Sequence, residues 1–453
     1  MKKLLSAFWR SPVKTRVLPS RRIHLGIDYG TSTSKIVFRD YGAPGGERAV
    51  LILSRGSIRI PSTVGLREGM LQFGGTEDSH SGTILYESLK MRAAMEATGD
   101  PKYFYGTTTP LPDGFSACDL AVLTVWYLIS EGHRAVLLDL SGNAAGLRLG
   151  MTMGVPMAFF DDVVLQPLFL SIARQAWQLY REEDLLEVSL PLEKARHILD
   201  LYPRTRLPEI SDDEVRDWLR SEGEAAMWWP FQSPAVGPGP YAKIDIGAGT
   251  THASLYRIHG DNLTPKTGIA FFGASTISVG MDGIDNAISI CIGEKGDCRL
   301  LRGREQEILR RNSAARDAIE PLREEMYQTY RRAWGQTLRK IGDYQAERQA
   351  WGAHKIFMIG GGSLVPIIAD SLRVHPAGGN LTIQLMELEP PPDLKRADNR
   401  AITAAQLPFA SVAYGLANIG LSIPEALTPN QVDPMPLNQA RRERLNWDDI
   451  YAK

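Results

Sequence analysis

Two short segments of this 453-residue chain repeat one another and carry residue types suited to holding phosphate. Ile27-Asp28-Tyr29-Gly30-Thr31-Ser32-Thr33-Ser34 matches Ile244-Asp245-Ile246-Gly247-Ala248-Gly249-Thr250-Thr251. In each, an aspartate closes an apolar run and a turn of Gly, Thr and Ser follows. Glycine lets the backbone approach a ligand closely, and successive N–H groups with nearby hydroxyls form a nest for an anion. Asp28 and Asp245 stand where a carboxylate can hold Mg²⁺ through water beside that anion. A single Asp-x-Gly turn also occurs in ordinary hairpins, whereas two copies facing one cleft would grip a polyphosphate from both sides. A third turn, Gly360-Gly361-Gly362-Ser363, follows the apolar run Lys355–Ile359 and precedes a helical pattern, a setting suited to packing on a nucleoside.

The elements that must position these turns are legible around them. Apolar runs flank each copy, Ile23–Ile27 and Lys35–Arg39 in one, Tyr241–Ile244 and Ala253–Ile258 in the other. Both copies therefore predict strand, tight turn, strand. Ser233–Pro240 is rich in Pro and Gly and cannot continue a helix or central strand, so it marks a junction between two related halves. The expected division is a basic amphipathic segment over 1–22, a first unit over 23–235, a second over 236–425 and a charged tail over 426–453. Helical patterns cover Asp162–Tyr180, Ser211–Met227, Met281–Ile292, Ala314–Ile341 and Leu364–Leu372. The second of these begins with Ser211 and Glu214 at capping-box spacing. Strands interleaved with helices predict an α/β fold with mixed sheets.

Composition removes several classes of function. With 51 basic and 52 acidic residues the net charge is −1, so global electrostatics do not point to nucleic acid. The hydrophobic fraction of 43% supports a substantial core. Three cysteines, Cys118, Cys291 and Cys298, are too few for a disulfide framework and lack a usual zinc spacing. The longest apolar stretch, Leu120–Ile129, is about half the roughly 20 residues needed to cross a bilayer. MKKLLSAFWR is not expected to be a secretory signal, because its apolar part is very short and no small-residue cleavage site follows. As a helix, residues 1–22 would set Leu4, Leu5, Phe8 and Trp9 on one face among basic neighbours, a pattern suited to peripheral contact with an anionic membrane. The expected location is the cytoplasm, and residues 1–22 are open to two readings, a frayed or partner-bound leader or a peripheral contact on the inner face of the membrane. Between Arg299 and Arg348 lie twelve basic and eight acidic residues, expected to form a solvated surface. Trp228, Trp229 and Phe231 are expected in the core rather than as a stacking platform for bases.

The three turns, in this order, resemble the phosphate-1, phosphate-2 and adenosine motifs of the actin / heat-shock protein 70 / sugar-kinase ATPase superfamily, most nearly the heat-shock protein 70 nucleotide-binding domain. His24–Ser34 is similar to its first loop and Lys243–Thr250 to its second. Pro61-Ser62-Thr63-Val64, Ser88-Leu89-Lys90, Glu222-Gly-Glu-Ala-Ala226, Val279–Asp285 and Val412-Ala-Tyr-Gly415 are similar to further stretches, so the resemblance covers roughly residues 23–425. It implies an α/β fold of two lobes, each with a ribonuclease-H-like core, around a central nucleotide cleft. It implies ATP or ADP with Mg²⁺ as ligands. Asp28 and Asp245 would position the metal. Gly30, Thr31, Ser32, Gly247, Gly249 and Thr250 would contact phosphates, and Gly360, Gly361, Gly362 and Ser363 the nucleoside. Lys90 would neutralise developing charge, and Glu222, with Glu224 as its rival, would orient the attacking water beside Asp245. Val365 and Phe409 replace an arginine and an acidic residue of the family, which alters the base and ribose contacts. A β-rich, peptide-clamping region after the core is not expected, so neither is a self-contained peptide-binding chaperone.

The implied activity is a slow ATPase whose lobes open and close as a switch for a partner protein. Three alternatives stand beside it: a membrane-associated actin-like filament, a nucleotide-binding scaffold with little turnover, and a small-molecule kinase.

Overall fold

The computed structural model describes residues 21–75, 82–103, 109–141, 146–260, 266–294, 301, 303–376, 383–419 and 426–434. The expected amphipathic segment, apart from Arg21 and Arg22, lies outside these residues, as do Cys298 and the tail beyond 434. Described residues form a mixed α/β structure with three sheets.

The first sheet grows from the first hairpin. β1 (Arg21–Asp28) pairs antiparallel with β2 (Thr33–Asp40), which pairs antiparallel with β3 (Arg48–Leu51). On its other side β1 takes β4 (Leu147–Val155) in parallel, and β4 takes β5 (Leu219–Ser221) in parallel. Buried side chains run almost unbroken along β1, as expected of a strand covered on both faces.

The second sheet repeats that plan. β6 (Gly239–Ile246) pairs antiparallel with β7 (Thr251–His259), and β7 with β8 (Gly268–Ile277). β9 (Lys355–Ile359) lies parallel on the far side of β6, followed by Gln384–Leu385. Strand order and the sense of each of these pairings are therefore the same in both sheets. A separate four-stranded sheet of short strands draws Val64–Arg67, Met70–Gln72, Ile84–Tyr86 and Ser189–Pro191 together.

Helices cover these sheets. α1 (Leu89–Thr98) follows Ser88, whose left-handed backbone (φ 53°) starts the turn. α2 (Ala117–Asp139) opens with a capping box between Ser116 and Asp119 and buries the Leu120–Ile129 run. α3 (Leu165–Glu182) packs on α2. α4 (Glu222–Gln232) ends the first half, α5 (Met281–Ile292) and the long α6 (Ser313–Ile341) belong to the second, and α7 (Leu407–Leu416) comes late in the chain.

Three features join the halves. α4 sends Met227, Trp228 and Phe231 into a buried cluster with Tyr241, Tyr256 and Phe271 of the second sheet. α7, although it follows the second sheet in sequence, lies on β1 and β2, and the two helices pack on each other. Leu394–Arg396 likewise returns to the first sheet, parallel to β3.

The structure corrects several boundaries. Ser211–Met227 is not one helix: Asp212–Trp218 is helical behind its Ser211–Glu214 capping box, Leu219–Ser221 is strand, and α4 then begins. Pairing with Met153–Val155 captures those three residues as an edge strand, overriding a helical pattern. Arg21 and Arg22, assigned to the leader, already belong to β1. Ala426–Leu427, assigned to the tail, pairs with Ile269–Ala270 of β8. Leu364–Leu372 divides into a short 3₁₀ turn over Gly361–Leu364 and a helix over Pro366–Leu372, the proline standing at the helix start.

Candidate functional site

A cavity of about 270 Å³ opens where the two hairpins and the glycine turn converge. The first hairpin contributes Asp28, Gly30, Thr31 and Ser32, and the second contributes Asp245, Gly247 and Thr250. Lys90, Glu222, Gly360 and Gly361 complete the expected set on its wall. Gly249, Gly362 and Ser363 do not line it. Gly249 instead backs onto Thr31, where a side-chain carbon would sit 2.5 Å from the threonine methyl, so the two turns meet directly. Gly362 is buried against Ile246, and the Ser363 hydroxyl donates to the Gly360 carbonyl oxygen at 2.7 Å.

The hairpin register adds two residues that the sequence reading did not single out. Lys35 stands directly across from Asp28, and His252 directly across from Asp245, each seven residues after its aspartate. Both line the cavity. Lys35 Nζ lies 3.3 Å from the Asp28 carboxylate, the cross-strand ion pair expected of facing residues. His252 is buried, its Nδ1 is 2.8 Å from the Thr276 hydroxyl, and its Nε2 has no hydrogen-bond partner among the described residues. Burial, aided by the nearby Lys243 charge, pushes the imidazole well below its ordinary pKa and keeps it neutral. The duplicated spacing of seven was the available signal for both.

Lys90 and Glu222 come from different elements and meet at the cavity wall. Lys90, near the start of α1, donates to Glu222 Oε1 at 2.6 Å and to the Tyr29 carbonyl oxygen at 2.9 Å. Ser221 caps α4 by accepting from the Glu224 N–H, which fixes the first turn carrying Glu222. Of the two glutamates only Glu222 lines the cavity; Glu224 lies 4.0 Å from Arg216, and burial raises its pKa.

Asp245 is half-buried on the cavity wall. Its carboxyl is pushed up to about 6, chiefly by burial, with Lys243 opposing and the neighbouring Glu222 and Asp28 carboxylates adding to the rise. Lys243, two residues earlier on β6, is fully buried, and burial lowers its pKa. The cavity wall thus gathers three carboxylates (Asp28, Glu222, Asp245) and two lysines (Lys35, Lys90), with the Lys243 charge buried nearby. Arg59 lies over the Phe409 ring at 4.8 Å, and both face the cavity together with Val365, Glu305 and Gln306.

Oxygen donors of this kind suit a hard cation. Among the described residues no group of three or more His, Cys, Asp and Glu side chains is arranged to hold a metal by itself. A hydrated Mg²⁺ bound through one or two carboxylates and phosphate oxygens fits such a sparse donor set. No helix of the described residues is long and apolar enough to cross a membrane. No protein-family model matches the chain, and a search of curated proteins finds no match.

Proposed function

We propose that the chain is an Mg-nucleotide-dependent ATPase of the actin / heat-shock protein 70 / sugar-kinase type, built of two ribonuclease-H-like lobes that clasp the nucleotide between them. The observation that carries this reading is the duplication. Two sheets of the same strand order and pairing sense present equivalent Asp-bearing hairpins to one cavity. An unrelated pair of turns has no reason to share both topology and target.

Asp28 and Asp245 would hold Mg²⁺ through its waters, with Thr31, Ser32 and Thr250 hydroxyls and the Gly30 and Gly247 turns around the phosphates. The bound metal supplies charge neutralisation to the phosphates and geometry for in-line displacement. Lys90 remains on the cavity wall as a fixed cation beside the transferring phosphoryl group, held there by Glu222 and the Tyr29 carbonyl. The neutral His252 imidazole, with its unfilled Nε2, is suited to hold a water or a phosphate oxygen by one hydrogen bond. Leu364, Val365 and Phe409 supply an apolar wall for the base. Turnover would open and close the lobes about α4 and α7, passing the nucleotide state to a partner protein.

Steady-state ATP hydrolysis tests this. Wild-type chain should hydrolyse ATP only with Mg²⁺, and Asp28→Asn should lower turnover by about 10²-fold or more. Hydrolysis that survives both chelation and Asp28→Asn would overturn the proposal.

A further inference from the structure

A second cavity of about 300 Å³ lies behind the glycine turn, back to back with the first. Leu364 and Pro408 face both cavities and form the wall between them. Its other walls are largely apolar and aromatic: Met227 and Trp229 of α4, Phe357 of β9, and Met386 just after the edge strand. The Trp229 indole N–H donates to the Glu389 carbonyl oxygen at 2.7 Å, which fixes the ring in place.

Two buried polar groups line this apolar space without adequate partners. Ser411 of α7 is 7% exposed, and its hydroxyl has no hydrogen-bond partner among the described residues. Lys243 is 0% exposed, and among the described residues its ammonium, which has three protons to donate, reaches only the Glu222 carbonyl oxygen, at 3.5 Å. Buried polar groups are ordinarily hydrogen-bonded, and an unfilled one is costly in an apolar setting. The Lys243 ammonium can only donate and the Ser411 hydroxyl can donate as well as accept, so the one group that would satisfy both is an acceptor. The Lys243 charge already lies near Asp245, Glu222 and Asp28, so the acceptor need not be anionic. Flat rings suit walls of Trp, Phe and Met, whose sulfurs make favourable contacts with aromatic edges.

We propose that this rear cavity is a binding site for a compact, neutral aromatic ligand bearing a carbonyl acceptor, which lies between Trp229 and Phe357 and accepts from Ser411. The ligand would touch the back of the Gly360–Leu364 turn, whatever occupies the front cavity. Ala404 and Ala405, exposed at its mouth, mark the entrance.

Calorimetric titration of the full chain with indole-3-carboxamide, in the absence of nucleotide, tests the site. Saturable binding is expected, with indole itself, which lacks the carbonyl, weaker by about tenfold. Ser411→Ala should weaken the carboxamide by about threefold or more, and Ala405→Trp, with an unchanged melting temperature, should abolish binding by closing the mouth. The indole comparison needs no variant, so a poorly folding substitution does not remove the test. No saturable heat, equal affinity for indole, or undiminished binding to well-folded Ala405→Trp would each overturn the inference. None of these failures bears on the front cavity, because no nucleotide is present.

Discussion

Asp28 and Asp245 occupy equivalent positions in the two hairpins yet face different partners, a lysine in one and a neutral histidine in the other. Burial, more than the residue it faces, raises the Asp245 carboxyl. With its carboxyl pushed up to about 6, it takes a proton as pH falls through that value and, under the proposed function, would then lose its hold on a hydrated cation. Mg-ATP affinity should therefore be flat above about pH 7 and decline below about pH 6, and Asp245→Asn should remove that inflection. The sign for stability is the reverse. A carboxyl whose folded pKa lies above its unfolded one contributes most at low pH, and its contribution falls as pH rises from about 4 to about 6. Melting temperatures of ligand-free wild type and Asp245→Asn should thus diverge across that window, the variant gaining at the upper end. The Lys90–Glu222 pair gives a second residue-scale prediction. Removing one partner of a buried pair strands the other charge at a cost of about 3–5 kcal/mol, whereas removing both is milder. Lys90→Met should consequently melt lower than the double variant Lys90→Met/Glu222→Gln, while both lose turnover. If the single and double variants melt alike, the pair is not coupled as the 2.6 Å contact indicates. His252→Leu should lower turnover by about tenfold, with His252→Gln, which keeps a polar group near the Nε2 position, recovering part of it.

At the scale of elements, the glycine turn after β9 is the most constrained. Gly360 has φ of 77°, and a side-chain carbon there would lie 2.5 Å from the Asp245 carboxylate. Gly360→Ala should therefore cost about 1 kcal/mol or more and also weaken nucleotide binding, read from melting and titration of the same variant. Much of this architecture was legible beforehand, and for physical reasons. Alternating and continuous apolar runs on either side of Asp28 and Asp245 specify strand–turn–strand without tertiary help, and Lys355–Ile359 leading into glycines specifies strand and turn. The failures were tertiary. Leu219–Ser221 became strand because β4 offered an edge, and Leu394–Arg396 joined the first sheet through only three residues that carry no pattern of their own. Of the residues that line the cavity, Asp28 and Asp245 were singled out by the duplicated turns and Lys90 and Glu222 by resemblance. Lys35 and His252 needed the hairpin register, and Lys243 needed burial, neither of which a sequence states outright.

The whole molecule owes its unity to exchange. α4 leaves the first half to pack on the second sheet, α7 leaves the second half to pack on the first, and Leu394–Arg396 ties the late chain to β3. Arg39 reinforces that tie through Asp393 at 2.8 Å and the face of Tyr414. Under the proposed function, two sheets joined in this way would rock about these packed helices without separating as the nucleotide is gripped and released. Small-angle scattering should accordingly show a smaller radius of gyration with Mg-ATP than without nucleotide, and no such change in Asp28→Asn. The most direct test is an equilibrium titration of Mg-ATP against the wild-type chain and Asp245→Asn. One nucleotide per chain should bind wild type, and binding should fall by about tenfold or more when either the metal is chelated or Asp245 is replaced. Binding of equal strength in all three conditions, or none at millimolar nucleotide, would contradict a cavity built around two aspartates and a metal–polyphosphate.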